Sequence, residues 1–372
     1  MQKRRKLSIK KISIAFVIFV VLVILGSFLT YKLNLRSVSS KSNEISFVVS
    51  NGSTYQSIAS SLKKNKLIRS ELFYKIYIKL NSPSNLQVGE YKLNQNMSVS
   101  QIIDVLEGGS NYNPDTVKIT FKEGITFRDV AKLISSSFNI SEDDIYNKIK
   151  DETYLNSLIK NYWFLTDSIK NKKIYYSLEG YLFPDTYEFN SKDSLESIFK
   201  KMLDNTNTKL ANYKSSIESS KYNVHEIMTM ASIIEKESSG STSDILDNTN
   251  YNVYQAVSGV FYNRLNSGWS LGSDVTTYYG LKLDLHERDL TSSELAQVNA
   301  YNTRASSMAG KLPVGPICMP SIEAINASIN PMKHKYYYFV ADKNGKTYFN
   351  QNATGHSNTI SKLKREGKWY EY

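Results

Sequence analysis

The chain has 372 residues, with 46 Lys+Arg against 35 Asp+Glu, a formal net charge of +11, 41% hydrophobic and 22% charged residues. This is a globular composition, which excludes a disordered or collagen-like chain, and the length suits two or three modest domains, each able to bury a core. A single cysteine, Cys318, excludes an internal disulfide framework and a zinc site built on several thiolates; His225, His286, His334 and His356 are scattered without metal-ligand spacing, so no metal site is expected. The 27 tyrosines, with abundant Asn and Ser, read as a polar, aromatic-rich exterior able to stack on sugars.

In chain order, the first element is an uncharged run from Ile12 to Thr30, broken only by Ser13, Gly26 and Ser27. About 20 apolar residues cross a hydrocarbon layer as a helix, so residues 12–31 are expected to span a membrane. Lys3, Arg4, Arg5, Lys6, Lys10 and Lys11 precede the run, and only Lys32 and Arg36 follow closely. The asymmetry puts residues 1–11 in the cytoplasm as a basic tail and everything beyond about residue 32 outside. A cleavable signal peptide is the rival reading, but its apolar core is usually shorter, and no convincing small-x-small site follows Gly26-Ser27-Phe28. The tail supplies six of the eleven excess charges, leaving +5. That remainder is too diffuse for nucleic acid and better suits an anionic wall or membrane surface. A lone cysteine also fits an exterior protein that does not depend on disulfides.

Residues 32–43 are short, polar and Ser-rich, the composition of a linker. A repeat follows at an offset of 72 residues: Phe47-Val-Val-Ser-Asn-Gly52-Ser-Thr54-Tyr55-Gln-Ser-Ile58-Ala59 matches Ile119-Thr-Phe-Lys-Glu-Gly124-Ile-Thr126-Phe127-Arg-Asp-Val130-Ala131. In each copy a short β-rich run ends at a Gly turn, and Thr54 or Thr126 is expected to cap the helix that follows. The strand, the Gly-x-Thr turn and the amphipathic helix resemble the start of a LysM module, a small βααβ fold that binds glycan. Val88 to Leu93 reads as a returning strand and Ser100 to Glu107 as a last helix stopping at Gly108-Gly109, so residues 44–110 are expected to form this module. A packing subdomain without sugar affinity remains the alternative. The second copy is assigned to the scaffold of a larger region, 115–372, with its motif core at 174–360. Residues 141–172 are expected to be helical.

Three segments carry candidate chemistry. Leu178-Glu179-Gly180-Tyr181-Leu182-Phe183-Pro184-Asp185-Thr186-Tyr187 reads as a shaped turn, either presenting Tyr181 and Tyr187 or burying them as an aromatic corner. Asn223-Val-His-Glu226 is a capping-box pattern opening a helix through Glu235-Lys236-Glu237, with Ile227, Met230, Ala231, Ile234 and Ser238 lining one face. Glu235 and Glu237 fall on opposite flanks of that stripe. A carboxyl beside an apolar stripe is desolvated toward its neutral form, as a general acid requires, but periodicity does not choose between the two, and both could be plain surface carboxylates beside Lys236. The third segment runs from Val257 to Leu265, through Leu271 to Gly280 and Tyr301-Asn302-Thr303-Arg304, to Leu312-Pro313-Val314-Gly315-Pro316-Ile317. A short helix from Ser321 to Ile329 and a type I′ hairpin around Asn344-Gly345 are predicted beyond it.

EGYLFPDTYEF, ASIIEKES, VFYNRL, YNTR, LPVGPI and YYYFVAD, in this order and spacing, resemble the MltG (YceG-like) endolytic murein transglycosylases, and the resemblance covers essentially the whole chain. It implies an α+β enzyme: a transmembrane helix, a LysM-like subdomain, and a mixed catalytic domain whose acid helix faces a groove walled by loops and the hairpin. It would cut nascent glycan strands of peptidoglycan internally, at the β-1,4 bond between N-acetylmuramic acid and N-acetylglucosamine, ending strand elongation. Matching ASIIEKES to the family motif puts the catalytic acid on Glu235. Glu179, Tyr181, Asp185, Asp274, Tyr301 and Asn302 are candidate sugar contacts, with turn and core hydrogen bonding as the alternative role. The chain departs from the family at Gly272-Ser273-Asp274-Val275-Thr276, where members often read Gln-(Ser/Thr)-Asp-Pro-Thr, at Arg304, and in Cys318-Met319-Pro320. These departures bear on the groove rather than the reaction.

The implied mechanism uses one carboxyl and calls for no cofactor or metal. Glu235 protonates the bridging oxygen, then accepts the proton of the muramoyl C6 hydroxyl as that oxygen closes a 1,6-anhydro ring. A lysozyme-like hydrolase would need a second carboxylate, for which Asp274, Asp185 and Glu179 are the candidates. A non-enzymatic wall-binding scaffold is a further alternative, marked by loss of the acid, which is present here. Peptidoglycan synthases and proteins of elongation or division are the partners the family suggests.

Overall fold

The computed structural model describes residues 9–109, 115–238, 244–246, 249–285 and 287–369; His286 and residues 3–6 of the basic tail lie outside them. The chain is mixed α+β and divides into two compact units, Met1–Thr116 and Val117–Tyr372.

The first unit begins with α1 (Ile9–Asn34), whose Phe16–Asn34 stretch of 19 residues has a mean hydropathy of 2.3. At 1.5 Å per residue it reaches about 28 Å, close to a hydrocarbon layer, and its apolar side chains from Phe16 to Leu29 are exposed, as lipid contact requires. Next come β1 (Glu44–Val49), α2 (Ala59–Lys64), α3 (Glu71–Asn81), β2 (Gly89–Asn94) and α4 (Val99–Glu107). The strands pair antiparallel with Phe47 opposite Tyr91, so Phe47, Val49, Tyr91 and Leu93 alternate inward onto Leu62, Tyr74 and Ile102. Ser70 caps α3, and Ser98 with Gln101 forms a capping box on α4. Thr54 does not cap α2 as expected. It exchanges hydrogen bonds with Ser57, its N–H donating to Ser57 Oγ and its Oγ1 accepting from Ser57 N–H, and this local turn delays the helix to Ala59.

In the second unit, β3 (Thr116–Thr120) pairs with β4 (Thr186–Asn190). Thr126 does cap α5 (Phe127–Ser137), its hydroxyl accepting from Asp129 N–H. The 141–172 segment contains α6 (Glu142–Lys148), α7 (Glu152–Asn161) and a 3₁₀ turn, and α8 (Leu195–Leu210) and α9 (Lys214–Glu218) precede α10 (Val224–Ser238). Beyond α10 lie the antiparallel β5 (Asp244–Leu246) and β6 (Thr249–Tyr251), α11 (Val253–Asn266), α12 (Asp274–Gly280), α13 (Ser292–Ala296), α14 (Ile322–Ile329), the hairpin β7 (Tyr338–Ala341) and β8 (Thr347–Asn350), and α15 (Ala353–Arg365).

Helices α10, α11 and α14 pack on one another, so α10 is buried on every side from Ile227 to Glu235 rather than along the single stripe expected. The hairpin also differs from expectation. Gly345 N–H donates to Asp342 O, and Gly345 alone in the loop takes a positive φ, +81°. A type I′ turn needs two such residues; this is a type I turn with a glycine bulge. In the 178–187 turn, Tyr181 and Tyr187 face inward. Tyr181 Oη lies 2.7 Å from His225 Nδ1, and Tyr187 O–H donates to Phe183 O.

Two adjacent residues hold this corner. Gly180 takes φ +84°, and a Cβ there would stand 2.4 Å from Pro316 Cβ. Gly180→Ala is therefore expected to cost about 2–4 kcal/mol, read from denaturant midpoints, through strain and displacement of the 312–317 loop. Glu179, fully buried, accepts from Phe127 N–H at 2.9 and 3.1 Å and from Tyr279 O–H at 2.9 Å. Burial pushes its pKa up to about 8 against these donors. The folded carboxyl thus keeps its proton to higher pH than the unfolded one, and its stabilisation, complete below the unfolded value, is lost as pH rises through about 8. Between pH 5 and 9, wild-type stability should fall more than that of Glu179→Gln, by on the order of 3–5 kcal/mol. Parallel pH profiles would remove this assignment.

Candidate active site

Helix α10 starts where the sequence predicts. Glu226 N–H donates to Asn223 Oδ1 at 3.0 Å and Asn223 N–H to Glu226 Oε2 at 2.9 Å, a reciprocal cap that sets the register delivering Glu235 almost three turns later. Glu235 is 1% exposed. Its Oε2 accepts from Ser321 N–H at 2.9 Å and from Ser321 O–H at 2.5 Å. The same Ser321 Oγ caps α14 by accepting from Ala324 N–H at 3.2 Å. Opposite, Gly124 takes φ +72°, and a Cβ on it would lie 3.6 Å from Glu235 Cγ and 3.9 Å from both Oε1 and Lys236 Nζ. The Gly124 turn is pinned by Gly124 N–H to Met319 O at 2.9 Å and Met319 N–H to Ile125 O at 2.8 Å. Among the described residues, none donates a hydrogen bond to Glu235 Oε1.

Glu123, next to Gly124, has its carboxyl pKa raised by burial first and then by the charges of Glu235 and Glu323. The Tyr254 phenol is raised by burial and by the same three carboxyls. Three acids and a phenol thus share one corner, and reading the sequence for motifs overlooks Glu123 there. The internal repeat carried the available signal, since Glu123 occupies the position of Asn51 in the first copy. Ser321 was legible as a helix cap, but its bond to the acid was not.

The other flank of α10 is open. Glu237 lines a cleft of about 520 Å³ with Arg264, Trp269, Asp274, Arg304 and Tyr338. Ser273 O–H donates to Glu237 Oε1 at 2.5 Å. Burial raises the Glu237 pKa, opposed by Ser273 and the two arginines. Arg304 Nε pairs with Asp274 Oδ1; Arg264 donates to Tyr337 O and Leu271 O and lies over the Tyr338 ring at 5.3 Å. A smaller cleft of about 270 Å³ is lined by Thr126, Arg128, Lys236, Tyr278 and Asp284, and Val275 borders both.

The expected arrangement therefore changes in one respect. The acid singled out by the motif, Glu235, lies under the Gly124 turn rather than on a groove wall, while Glu237 faces the larger cleft. The turn that covers one flank comes from more than 100 residues away, so the helical pattern alone could not assign the flanks. Of the expected sugar contacts, Asp274 borders a cleft. Glu179 and Tyr181 are interior, with the partners given above. The Tyr301 ring lies 4.8 Å from those of Tyr175 and Tyr279, and its hydroxyl accepts from Tyr175 N–H at 3.2 Å. Asn302 is buried, donating to Gln297 O at 2.7 Å and accepting from Thr277 O–H at 2.7 Å. Asp185 is half-buried; Thr186 N–H chiefly holds its carboxyl below the usual range, and Asn205 and Lys209 also meet it. In this geometry these five side chains have hydrogen-bond partners within the fold.

Comparison with known proteins places the geometry in context. The model of the YceG-like family matches residues 47–362. The endolytic murein transglycosylase of Bacillus subtilis is 34% identical, covering 92% of this chain and 91% of the relative. Two Streptococcus pneumoniae endolytic murein transglycosylases are 29% identical over 95% of this chain, which spans 65% of their length. A crystal structure of a YceG-like protein from Listeria monocytogenes is 31% identical, aligns with 86% of this chain and all of its own, and gives a TM-score of 0.58. With a family match over most of its length, and a relative above 30% identity matched nearly end to end, the chain belongs to the YceG-like family.

Proposed function

We propose that this chain is an endolytic peptidoglycan lytic transglycosylase, cutting the bond between N-acetylmuramic acid and N-acetylglucosamine in nascent strands and so terminating their growth. The observation that carries this is Glu235, buried within the ASIIEKES segment of a chain whose relatives are named for that activity, one oxygen bound twice by Ser321 and the other left without a described donor. Oε1 is then the atom that delivers a proton to the glycosidic oxygen. As the C1–O bond breaks, positive charge develops at C1 and the carboxylate remains beside it. The muramoyl C6 hydroxyl gives its proton to that carboxylate and attacks C1, closing the anhydro ring and restoring the acid without consuming water. The tethered nucleophile has a high effective concentration, so a single carboxyl suffices. Ser321 keeps Oε2 still throughout. Glu235 is 1% exposed, so strand entry requires a rearrangement around it.

In this reading α1 is a single-pass anchor with residues 1–11 cytoplasmic and the catalytic unit, 115–372, outside. Residues 32–43, of which 32–34 still belong to α1, make the connection, and 44–110 act as a LysM-like glycan-binding module. Synthases that polymerise the strand, and proteins of elongation or division, are the expected partners, since they present nascent glycan at the membrane. A hydrolytic reading, lysozyme-like, would draw on Glu123, a second carboxyl next to the Gly124 turn, its pKa raised first by burial and then by the charges of Glu235 and Glu323.

On purified glycan strands, Glu235→Gln should lower kcat/KM by about 10³-fold or more, while Glu237→Gln keeps activity within about tenfold. The reverse ranking would move the acid to Glu237. Mass spectrometry of the wild-type products should find 1,6-anhydro ends, one water lighter than reducing ends; reducing ends would instead establish hydrolysis.

A further inference from the structure

The first unit carries an apolar surface that its own core does not use. On α3, Tyr74 and Ile78 are buried in that core, whereas Leu72, Ile76 and Leu80, spaced four apart, are 63%, 37% and 70% exposed. At about 100° per residue these three side chains fall within an arc of about 80°. Lys75 and Lys79 border the arc on one side, and the half-buried Phe73 and Tyr77 border it on the other. The second border faces the membrane helix: α3 packs against α1, and the Phe73 ring meets that of Tyr31 edge-on at 6.3 Å.

On a module swinging from a slack tether such a stripe would have no fixed neighbour, but here the connection to α1 is tied down. Val99 N–H donates to Leu35 O at 3.0 Å, Arg69 Nε to Ser37 O at 2.8 Å, Ser39 N–H to Gln95 O at 3.0 Å and Asn43 N–H to Asn94 Oδ1 at 2.9 Å. Leu35 itself packs on the core of the unit. Helix α1 therefore enters the unit as a strut, with α3 beside the end from which it emerges. Leu29 and Leu33, both exposed, carry the apolar surface of α1 up to that end. Lipid covering those side chains already adjoins the stripe, across the Tyr31 and Phe73 rings. Tyrosine favours the headgroup level, and lysines at the edge of an apolar face can lay their stems along it while their ammonium groups stay in water.

We propose that α3 is an interfacial membrane contact, Leu72, Ile76 and Leu80 dipping into the boundary between lipid headgroups and acyl chains beside α1, with Lys75 and Lys79 meeting lipid phosphates. The occupant is the bilayer that α1 crosses, so the contact rests on reading α1 as an anchor. An apolar helical face edged by lysines is the pattern of helices that lie on a membrane. Span and stripe together hold the module at two points, which stops it turning about the α1 axis and fixes the face it presents to glycan. The contact stands apart from the reaction, since α3 belongs to the first compact unit and Glu235 to the second.

Full-length protein in vesicles of phosphatidylglycerol and phosphatidylcholine provides the test. Cys318 is buried, so a maleimide fluorophore labels only a cysteine introduced at the surface, and unmodified protein is the blank. Leu72→Cys and Leu80→Cys, made separately, replace exposed side chains and should fold, which thermal midpoints verify. Quenching by nitroxides at two depths along the lipid chains should place both labels about 5–10 Å into the headgroup–acyl boundary. A label on Leu22→Cys, near the middle of α1, should lie about 15 Å deep. Labels at 72 and 80 that aqueous iodide quenches and lipid nitroxides do not would overturn the contact, while the Leu22→Cys label still reports the span. Protection from both quenchers would put protein rather than lipid on the stripe and overturn it as well. Escape of the Leu22→Cys label from the nitroxides would bring down the anchor and the contact together. Lys75→Glu combined with Lys79→Glu should shift both stripe labels toward the aqueous quencher; labels that stay at depth would strike the lysines from the contact.

Discussion

A buried carboxyl persists only where its oxygens are met, and Glu235 has one oxygen met twice by a single residue, Ser321. That residue is also the cap of α14, so the bond ties the end of one core helix to the beginning of another. The loop before α14 is consequently laid along α10. Ile317 N–H donates to Ser232 Oγ at 3.0 Å, Cys318 Sγ–H to Ser232 O at 3.3 Å, and Met319 exchanges backbone bonds with the Gly124 turn. The single cysteine belongs to this splice; burial holds its thiol well above the ordinary range, as a neutral donor inside a packed loop.

The splice makes the turn at Gly124 part of the site although it is distant in sequence. A glycine there satisfies two demands at once, a positive φ and a close approach to the acid. Any side chain at that position would have to share the space around Oε1. The second copy of the repeat thus supplies both the strand–turn–helix start of the catalytic unit and the cover of the proposed acid. The first copy, with Asn51 before its glycine, packs into the small core of its own unit.

Local rules carried the sequence reading a long way. The reciprocal cap of Asn223 and Glu226, the Ser321 cap, the Thr126 cap and the apolar span were all legible, because each depends on residues within one turn of each other or on an uninterrupted run. Where local rules left a choice open or fell short, a longer-range or competing force decided. Thr54 lost its capping role to a Ser57 exchange. Tyr181, Tyr301 and Asn302 look like sugar contacts by residue type, yet aromatic rings and amides equally suit the interior of a helical layer. Which of Glu235 and Glu237 is covered depended on strands and turns folded from elsewhere in the chain. The MltG-type motifs identified the family and singled out Glu235, but not the environment of its carboxyl.

A helix leaving a packed core turns successive side chains through 100°, so its last residues look out in different directions. On α10 this assigns Glu235 to the α14 side, Lys236 to the smaller cleft and Glu237 to the larger one. Three charged residues in a row would be awkward on a single face, with like carboxyls repelling and each competing for water. Distributed around the exit of the helix they serve different surroundings: one has a serine for its lone pairs, one borders a cleft with Arg128 and Asp284, and one sits beside two arginines. The short motif is therefore a branch point rather than a cluster.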